Sequence, residues 1–429
     1  MANVGDRVKI SYKKEIIEGV LMPQEDPKIV FVKLDSGYNI GLKKNLIKKM
    51  VVLKKQTESK KTNIIVSHNK SLPTISILHT GGTIASKVDY DTGAVSSKFT
   101  EADILRLFPE LKQIVNINSY LVRNMASEMI RFVHYNILAK AIEKEAKKGV
   151  DGIILTQGTD TMHYTAAALA FALENIGIPI IIVGSQRSSD RGSTDAAMNL
   201  IAAATFIVNS DFSGVAICMH ESTNDNNCLI LPACKTRKMH TSRRDAFRPI
   251  NTTAIARINI DKKKISFLKP YPKKDKKKTL KLKLFNENLR IGLLKPHINM
   301  FASEIEAFKD FDGLVVELFG IGHMPTSKVD EFTSENEKIL KAITVLANKI
   351  PIVAAPQTLY GRLDLNIYSP GRVLLKAGIL GNHSDMTAET SFIKLAWLLS
   401  NHKKDVKELF GKNLRGEISD RTEKETFLV

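Results

Sequence analysis

Short runs of consecutive apolar residues recur along the chain from Pro73 onward: Ile75–Leu78, Ile153–Leu155, Pro179–Val183 and Gly214–Met219. Each is too short for a helix, and longer stretches with helical spacing lie between them, such as HYNILAKAIEKEAKKG and DAAMNLIAAATFIVN. Strands that are apolar on both faces and alternate with helices predict a mostly parallel sheet covered on both sides, an α/β fold. LVRN is read as one further strand of this series. The rhythm resumes in LRIGLLKP, DGLVVELFG and PIVAAPQT, with SENEKILKAITVLANK and ETSFIKLAWLLS as helices, which predicts a second, smaller α/β lobe. The first fifty residues follow another period. VGDRVKISYKKEIIEGVLMP and KIVFVKLDSGYNIGL alternate apolar and polar positions between Gly, Pro and Ser-Gly breaks, the pattern of a small all-β, barrel-like module.

The resulting division is a β domain at 1–53, a polar linker at 54–72, a main α/β domain at 73–265, a Lys-rich connection at 266–288 and a C-terminal lobe at 289–429. The connection belongs to the run DKKKISFLKPYPKKDKKKTLKLK, read as an exposed, solvated segment because it offers few aromatics to stack on bases.

Composition narrows the class. At 429 residues and 43% hydrophobic content the chain can bury a substantial core. No apolar run approaches the ~18–20 residues of a membrane span, and MANVGDRVKI has no signal-peptide core, so a cytoplasmic, membrane-free protein is expected. Cys218, Cys228 and Cys234 fit no zinc or redox spacing, and no metal is expected. The net charge of +18 suits an acidic partner such as RNA, yet a solvated surface would produce the same figure.

Two stretches carry chemistry. In ISILHTGGTIAS a strand runs into Thr80-Gly81-Gly82-Thr83, and in GIILTQGTDTMHYTAAALAFAL another runs into a glycine turn with Thr159-Asp160-Thr161 before an Ala-rich helix. Turns after parallel strands gather at the carboxyl edge of a sheet, where α/β proteins bind ligands. A glycine pair after a strand is also ordinary turn chemistry, and no lysine follows to make a phosphate-binding loop. A threonine hydroxyl needs a base before it can attack. CKTRKMHTSRRDAF supplies Lys238, and Thr159, Asp160 and Lys238 could form one hydroxyl, acid and lysine relay. Thr83 is the other hydroxyl, with Tyr90 as a possible proton partner and the glycine-turn N–H groups as an oxyanion site.

TGGTIAS, TQGTDTM and KMHTSRRDAF, in this order, resemble the threonine amidohydrolases, the bacterial-type L-asparaginases and glutaminases. GSQRSSDRGSTDAAMNL, LLKAGILGNHSDMTAETSFIKLAWLL and NLRGEISDRTEKETF extend the likeness from Ile75 to the C-terminus. The resemblance implies an asparaginase-like two-lobed fold. It makes Thr83, Thr159, Asp160 and Lys238 catalytic, places Ser127 and Glu128 at the substrate's α-carboxylate and α-ammonium groups, and puts Tyr90 in a flap loop.

The module before residue 70, with GDRVKI and VKLDSGYNIG, is similar to that of the D subunits of archaeal glutamyl-tRNA(Gln) amidotransferases. That likeness implies release of ammonia from L-glutamine, and a partner, the E subunit, that uses ATP and Mg to activate Glu-tRNA(Gln). It also implies a homodimer within a heterotetramer. No nucleotide-binding loop is found in this sequence. The alternative is a stand-alone cytosolic L-asparaginase.

Overall fold

The computed structural model describes residues 2–22, 26–34, 39–55, 69–81, 87–88, 95–96, 104–105, 108–187, 194–275 and 278–427. The N-terminal module is a five-stranded antiparallel sheet of β1 (Arg7–Tyr12), β2 (Glu15–Leu21), β3 (Ile29–Lys33), β4 (Asn39–Lys43) and β5 (Ile47–Lys54), in the order β4-β3-β2-β1-β5. The period-2 pattern sends Val8, Ile10, Leu21, Val30, Val32 and Leu42 into one small core. Lys9 and Glu18 face each other across β1 and β2 and pair at 2.8 Å on the solvent side.

Eight strands of the described residues form the central sheet: β6 (Thr74–His79), β7 (Asn116–Leu121), β8 (Gly152–Thr156), β9 (Pro179–Val183), β10 (Gly214–His220), β11 (Asn227–Pro232), β12 (Ala256–Asn259) and β13 (Lys264–Phe267). Their order is β13-β12-β11-β10-β9-β8-β6-β7. The five from β10 to β7 run parallel, and β11, β12 and β13 extend the sheet antiparallel. The sheet is therefore mixed, with its parallel part where the alternation of strand and helix predicts it.

Side-chain alternation explains why β8 and β9 are buried at every position. Ile153, Leu155, Ile180 and Ile182 enter a core shared with helices α1 (Phe132–Ala146) and α2 (Met162–Ala172). Ile154, Ile181 and Val183 point the other way, onto α3 (Ala196–Val208). Burial of a Val, Leu or Ile side chain is worth roughly 1.5–3 kcal/mol, so this three-layer packing is the main source of order under the site.

The C-terminal lobe has three parallel strands, Ile291–Leu294, Gly313–Leu318 and Ile352–Pro356. A helix at Ala388–Asn401, capped by Thr387, whose hydroxyl accepts from the Thr390 N–H, joins the large core through Ile393, Leu395, Trp397 and Leu398. The two lobes thus share one apolar cluster.

Two expectations change. The strand next to β6 is NINSYL, which ends before Val122, rather than LVRN; the polar Asn and Ser of β7 disguise it as loop. The Lys-rich run is not structureless: Lys264–Phe267 is the outermost strand of the sheet, Lys273 bridges to Phe212, and Lys281–Leu282 pairs with Leu173–Glu174. Cross-strand hydrogen bonds to β12 hold β13 in place despite its charge.

Candidate active site

The carboxyl ends of β6 and β8 lie side by side, so the chain that leaves each enters the same space. The Thr80 N–H and Thr80 hydroxyl both donate to the Thr156 carbonyl at 3.0 Å, which locks the two turns together. His79, the last residue of β6, is buried and lies 2.8 Å from the Thr156 hydroxyl through Nδ1 and 2.9 Å from the Ser119 hydroxyl of β7 through Nε2. One imidazole therefore joins three adjacent strands beneath the turns. Burial lowers its pKa to about 4, so the ring is neutral at neutral pH. Gly81 has φ +95°, and an added Cβ there would lie 2.9 Å from the Met125 carbonyl; only glycine permits this passage.

The second turn, Gln157 to Thr161, leads into α2. The Gln157 N–H donates to the Val183 carbonyl at 3.1 Å, and the Thr161 hydroxyl donates to the Ser127 carbonyl at 2.7 Å. Thr159 is nearly buried, and a Cβ at Gly184 would come within 2.7 Å of its methyl group. Small residues around the turn thus fix where the hydroxyl points.

Lys238 arrives from a separate two-stranded ribbon, in which Thr236–Lys238 pairs with Phe247–Pro249. Its Nζ donates to Thr159 Oγ1 at 2.9 Å and to Asp160 Oδ1 at 2.7 Å. The lysine side chain is 11% exposed and the Asp160 side chain 68%. The acidic member of the trio thus faces solvent while the lysine is covered. Behind the ribbon, Asp245 accepts from Arg243 Nε and Arg248 NH2, each at 2.8 Å, and the Arg243 contact holds its carboxyl below the usual range. Asp245 thereby shapes the loop that returns the chain to Phe247.

Ser127 and Glu128 sit in a short helical turn beside this constellation. A Cβ on Gly158 would lie 3.1 Å from Ser127 Cβ and Oγ, so the serine touches the threonine turn directly. Its buried hydroxyl finds no hydrogen-bond partner among the described residues, whereas Glu128 is exposed. Thr83 and Tyr90 lie outside the described residues.

Several neighbours carried no signal in the sequence. The buried Gln157 carboxamide has no partner for either polar atom among the described residues. A cavity of about 470 Å³ opens beside Asp160 and Lys238 and is lined by His163, Tyr164, Arg237 and Glu389. Glu389 accepts from Arg237 Nε at 2.9 Å and lies 4.0 Å from His163 Nε2. Burial lowers the His163 pKa to about 4 and raises that of Tyr164. Only the position of His163 four residues after Thr159 could have pointed to it; Glu389 comes from the other lobe. Among the described residues no group of three or more His, Cys, Asp or Glu side chains is arranged to hold a metal.

The arrangement offers a hydroxyl next to an amine, the amine held by a carboxylate, and a buried hydroxyl that has no partner among the described residues and could bind a polar ligand. Comparison with known proteins shows the family to which the chain is similar. Residues 74–272 match the family described as Asparaginase, N-terminal, 290–410 match the Glutaminase/Asparaginase C-terminal domain, and 2–54 match the GatD N-terminal domain. The L-asparaginase of Thermococcus kodakarensis superposes with a TM-score of 0.70 at 27% identity, over 81% of this chain and 100% of that protein. The D subunit of the glutamyl-tRNA(Gln) amidotransferase of Methanococcus maripaludis is 38% identical over 97% of this chain and 98% of its own length. That of Pyrococcus furiosus is 40% identical over 99% and 97%. On this likeness in all three regions, the chain belongs to the family of glutamyl-tRNA(Gln) amidotransferase D subunits, built on the asparaginase fold.

Proposed function

We propose that the chain hydrolyses L-glutamine and delivers the ammonia within a tRNA-dependent amidotransferase that converts Glu-tRNA(Gln) to Gln-tRNA(Gln). The carrying observation is Lys238 Nζ, bound at once to the Thr159 hydroxyl and the Asp160 carboxylate, 79 and 78 residues away in sequence. Thr83 and Thr159 are the two candidate nucleophiles. The attacking oxygen adds to the amide carbon, its proton passes to Lys238 Nζ acting as the base, and Asp160 holds that nitrogen in place. Collapse of the tetrahedral adduct returns a proton to the leaving nitrogen, so ammonia departs and an ester remains. Water then cleaves the ester, releasing glutamate and restoring the hydroxyl. N–H groups of the glycine turns stabilise the oxyanion, a contribution of about 3–4 kcal/mol in comparable sites. Ser127 and Glu128 bind the substrate's α-carboxylate and α-ammonium groups, and Tyr90 is a further substrate-binding residue in this reading.

In this reading the partner, the E subunit of the amidotransferase, uses ATP and Mg to activate Glu-tRNA(Gln), and two copies of each chain form a cytoplasmic heterotetramer. A stand-alone L-asparaginase is the second reading, favoured by the 0.70 TM-score match to one. Ammonia release from glutamine and from asparagine separates them, measured with the chain alone and with the E subunit, ATP and Glu-tRNA(Gln). The amidotransferase reading expects glutamine hydrolysis to rise sharply only in the full mixture. Asparagine hydrolysis at full rate by the chain alone would establish the second reading instead. In either assay Lys238→Met should lower kcat by about 10²–10⁴; an unchanged rate removes the relay.

A further inference from the structure

The outer edge of the central sheet carries a charge pattern that the amidase chemistry does not use. Between Asp261 and Lys283 the sequence holds eleven lysines, two aspartates and no arginine. Strand β12 runs antiparallel to β11, which runs antiparallel to β10, so β12 points toward the catalytic end of the sheet. Its turn into β13 therefore presents Lys262, Lys263 and Lys264 at that end. The edge strand then descends to Phe267, followed by Lys269, Tyr271, Lys273 and Lys274. The strand alone is ~13 Å long at ~3.3 Å per residue, and the lysines extend beyond both ends of it.

Lys262, Lys263, Lys264 and Lys274 are exposed, and none forms an ion pair with a carboxylate among the described residues. Phe267 is 41% exposed and stacks on Tyr271, with ring centroids 4.3 Å apart and planes inclined by 20°. Tyr271 is oriented by its hydroxyl, which donates to Asp211 at 2.6 Å, and Lys273 Nζ lies 5.7 Å from its ring centroid. The structure thus sets aromatic rings beside the exposed lysines; within the group Lys273 pairs with Asp211 at 3.1 Å and half-buried Lys269 donates to the Thr252 hydroxyl at 2.7 Å.

We propose that this edge is an RNA-binding surface, in which the lysines neutralise backbone phosphates and the exposed ring of Phe267 packs against a base. Protein interfaces are depleted in lysine and enriched in arginine, the reverse of this composition. Lysine serves phosphate as a point charge and gains from the counterions that RNA releases. A surface built only for solubility would mix the two signs more evenly than eleven lysines against Asp211, Asp261 and Asp275. The edge lies five strands from β8, ~24 Å away at ~4.8 Å per strand, so it is separable from the hydrolytic site and the inference does not rest on the proposed activity.

The test uses the full chain and a fluorescently labelled tRNA transcript, with anisotropy titrations at three salt concentrations. The wild type should bind with an affinity that falls steeply as salt rises. Lys262→Gln/Lys263→Gln/Lys264→Gln should weaken binding at least tenfold at low salt and reduce the slope of log K against log salt by about 2–3, at ~0.7–0.9 per phosphate contact. The corresponding triple Arg variant should retain both, and Phe267→Ala should weaken binding about fivefold or more without changing the slope. Glutamine hydrolysis and thermal midpoint, measured on the same samples, should not change. The proposal is overturned if the wild type fails to bind tRNA even at low salt, or if the Gln variant matches it in affinity and slope. It is also overturned if that variant loses only its binding to the E subunit, since the edge is then a protein interface.

Discussion

A buried hydroxyl without a partner costs about 1–3 kcal/mol, and Ser127, which has none among the described residues, places one beside the Thr159 turn. Such a group is tolerated where a ligand completes its bonding. Ser127→Ala should therefore leave the denaturant midpoint unchanged or raise it, while KM for glutamine increases about tenfold at a nearly constant kcat. A fall in stability with an unchanged KM would make the hydroxyl structural. The hydroxyl and amine chemistry of this region was legible because Thr159 and Asp160 are adjacent and Lys238 stands in a recognisable run. His79 and Gln157 were not legible: the one closes an apolar strand and the other opens a turn, and only the convergence of β6, β7 and β8 gives them neighbours.

The ribbon that carries Lys238 is short, and a short ribbon in isolation has no fixed position. Lys235, three residues earlier, is buried and pairs with buried Asp385 at 2.6 Å. Asp385 also accepts from the Ser419 N–H at 3.1 Å, and Asn251 donates to the Asp385 carbonyl at 2.9 Å. The C-terminal lobe thus anchors the strand that presents the candidate base. Lys235→Met strands the Asp385 charge and should destabilise the protein by about 3–5 kcal/mol, whereas adding Asp385→Leu should recover much of that loss. Denaturant unfolding of the two variants measures the difference; equal losses would mean that the pair does not act as a unit. The partnership was hidden because 150 residues separate its members.

At the scale of the whole molecule, the buried neutral histidine links stability to pH. The unfolded His79 titrates near 6.5 and the folded one near 4, so below 6.5 the unfolded chain binds the extra proton. Its contribution is complete above pH 6.5 and is lost as pH falls toward 4, with an upper bound on the order of 3 kcal/mol. His163 shifts in the same direction. Wild type should lose stability between pH 7 and 4.5, and His79→Gln should flatten that slope. Parallel curves for the two proteins, from denaturant midpoints at each pH, would exclude the linkage.

The sequence by itself determined the α/β alternation, the separate β module and the threonine, aspartate and lysine motifs, because these depend on periodicity and on residues close together in the chain. Tertiary structure decided the antiparallel extension of the sheet, the covering of Lys238, the exposure of Asp160 and the partners of His79, Lys235 and Glu389. It also turned part of a run of lysines into an edge strand beside stacked aromatic rings. Burial and ion pairing between distant segments arise only when the layers pack, and no local pattern of residues encodes which segments meet.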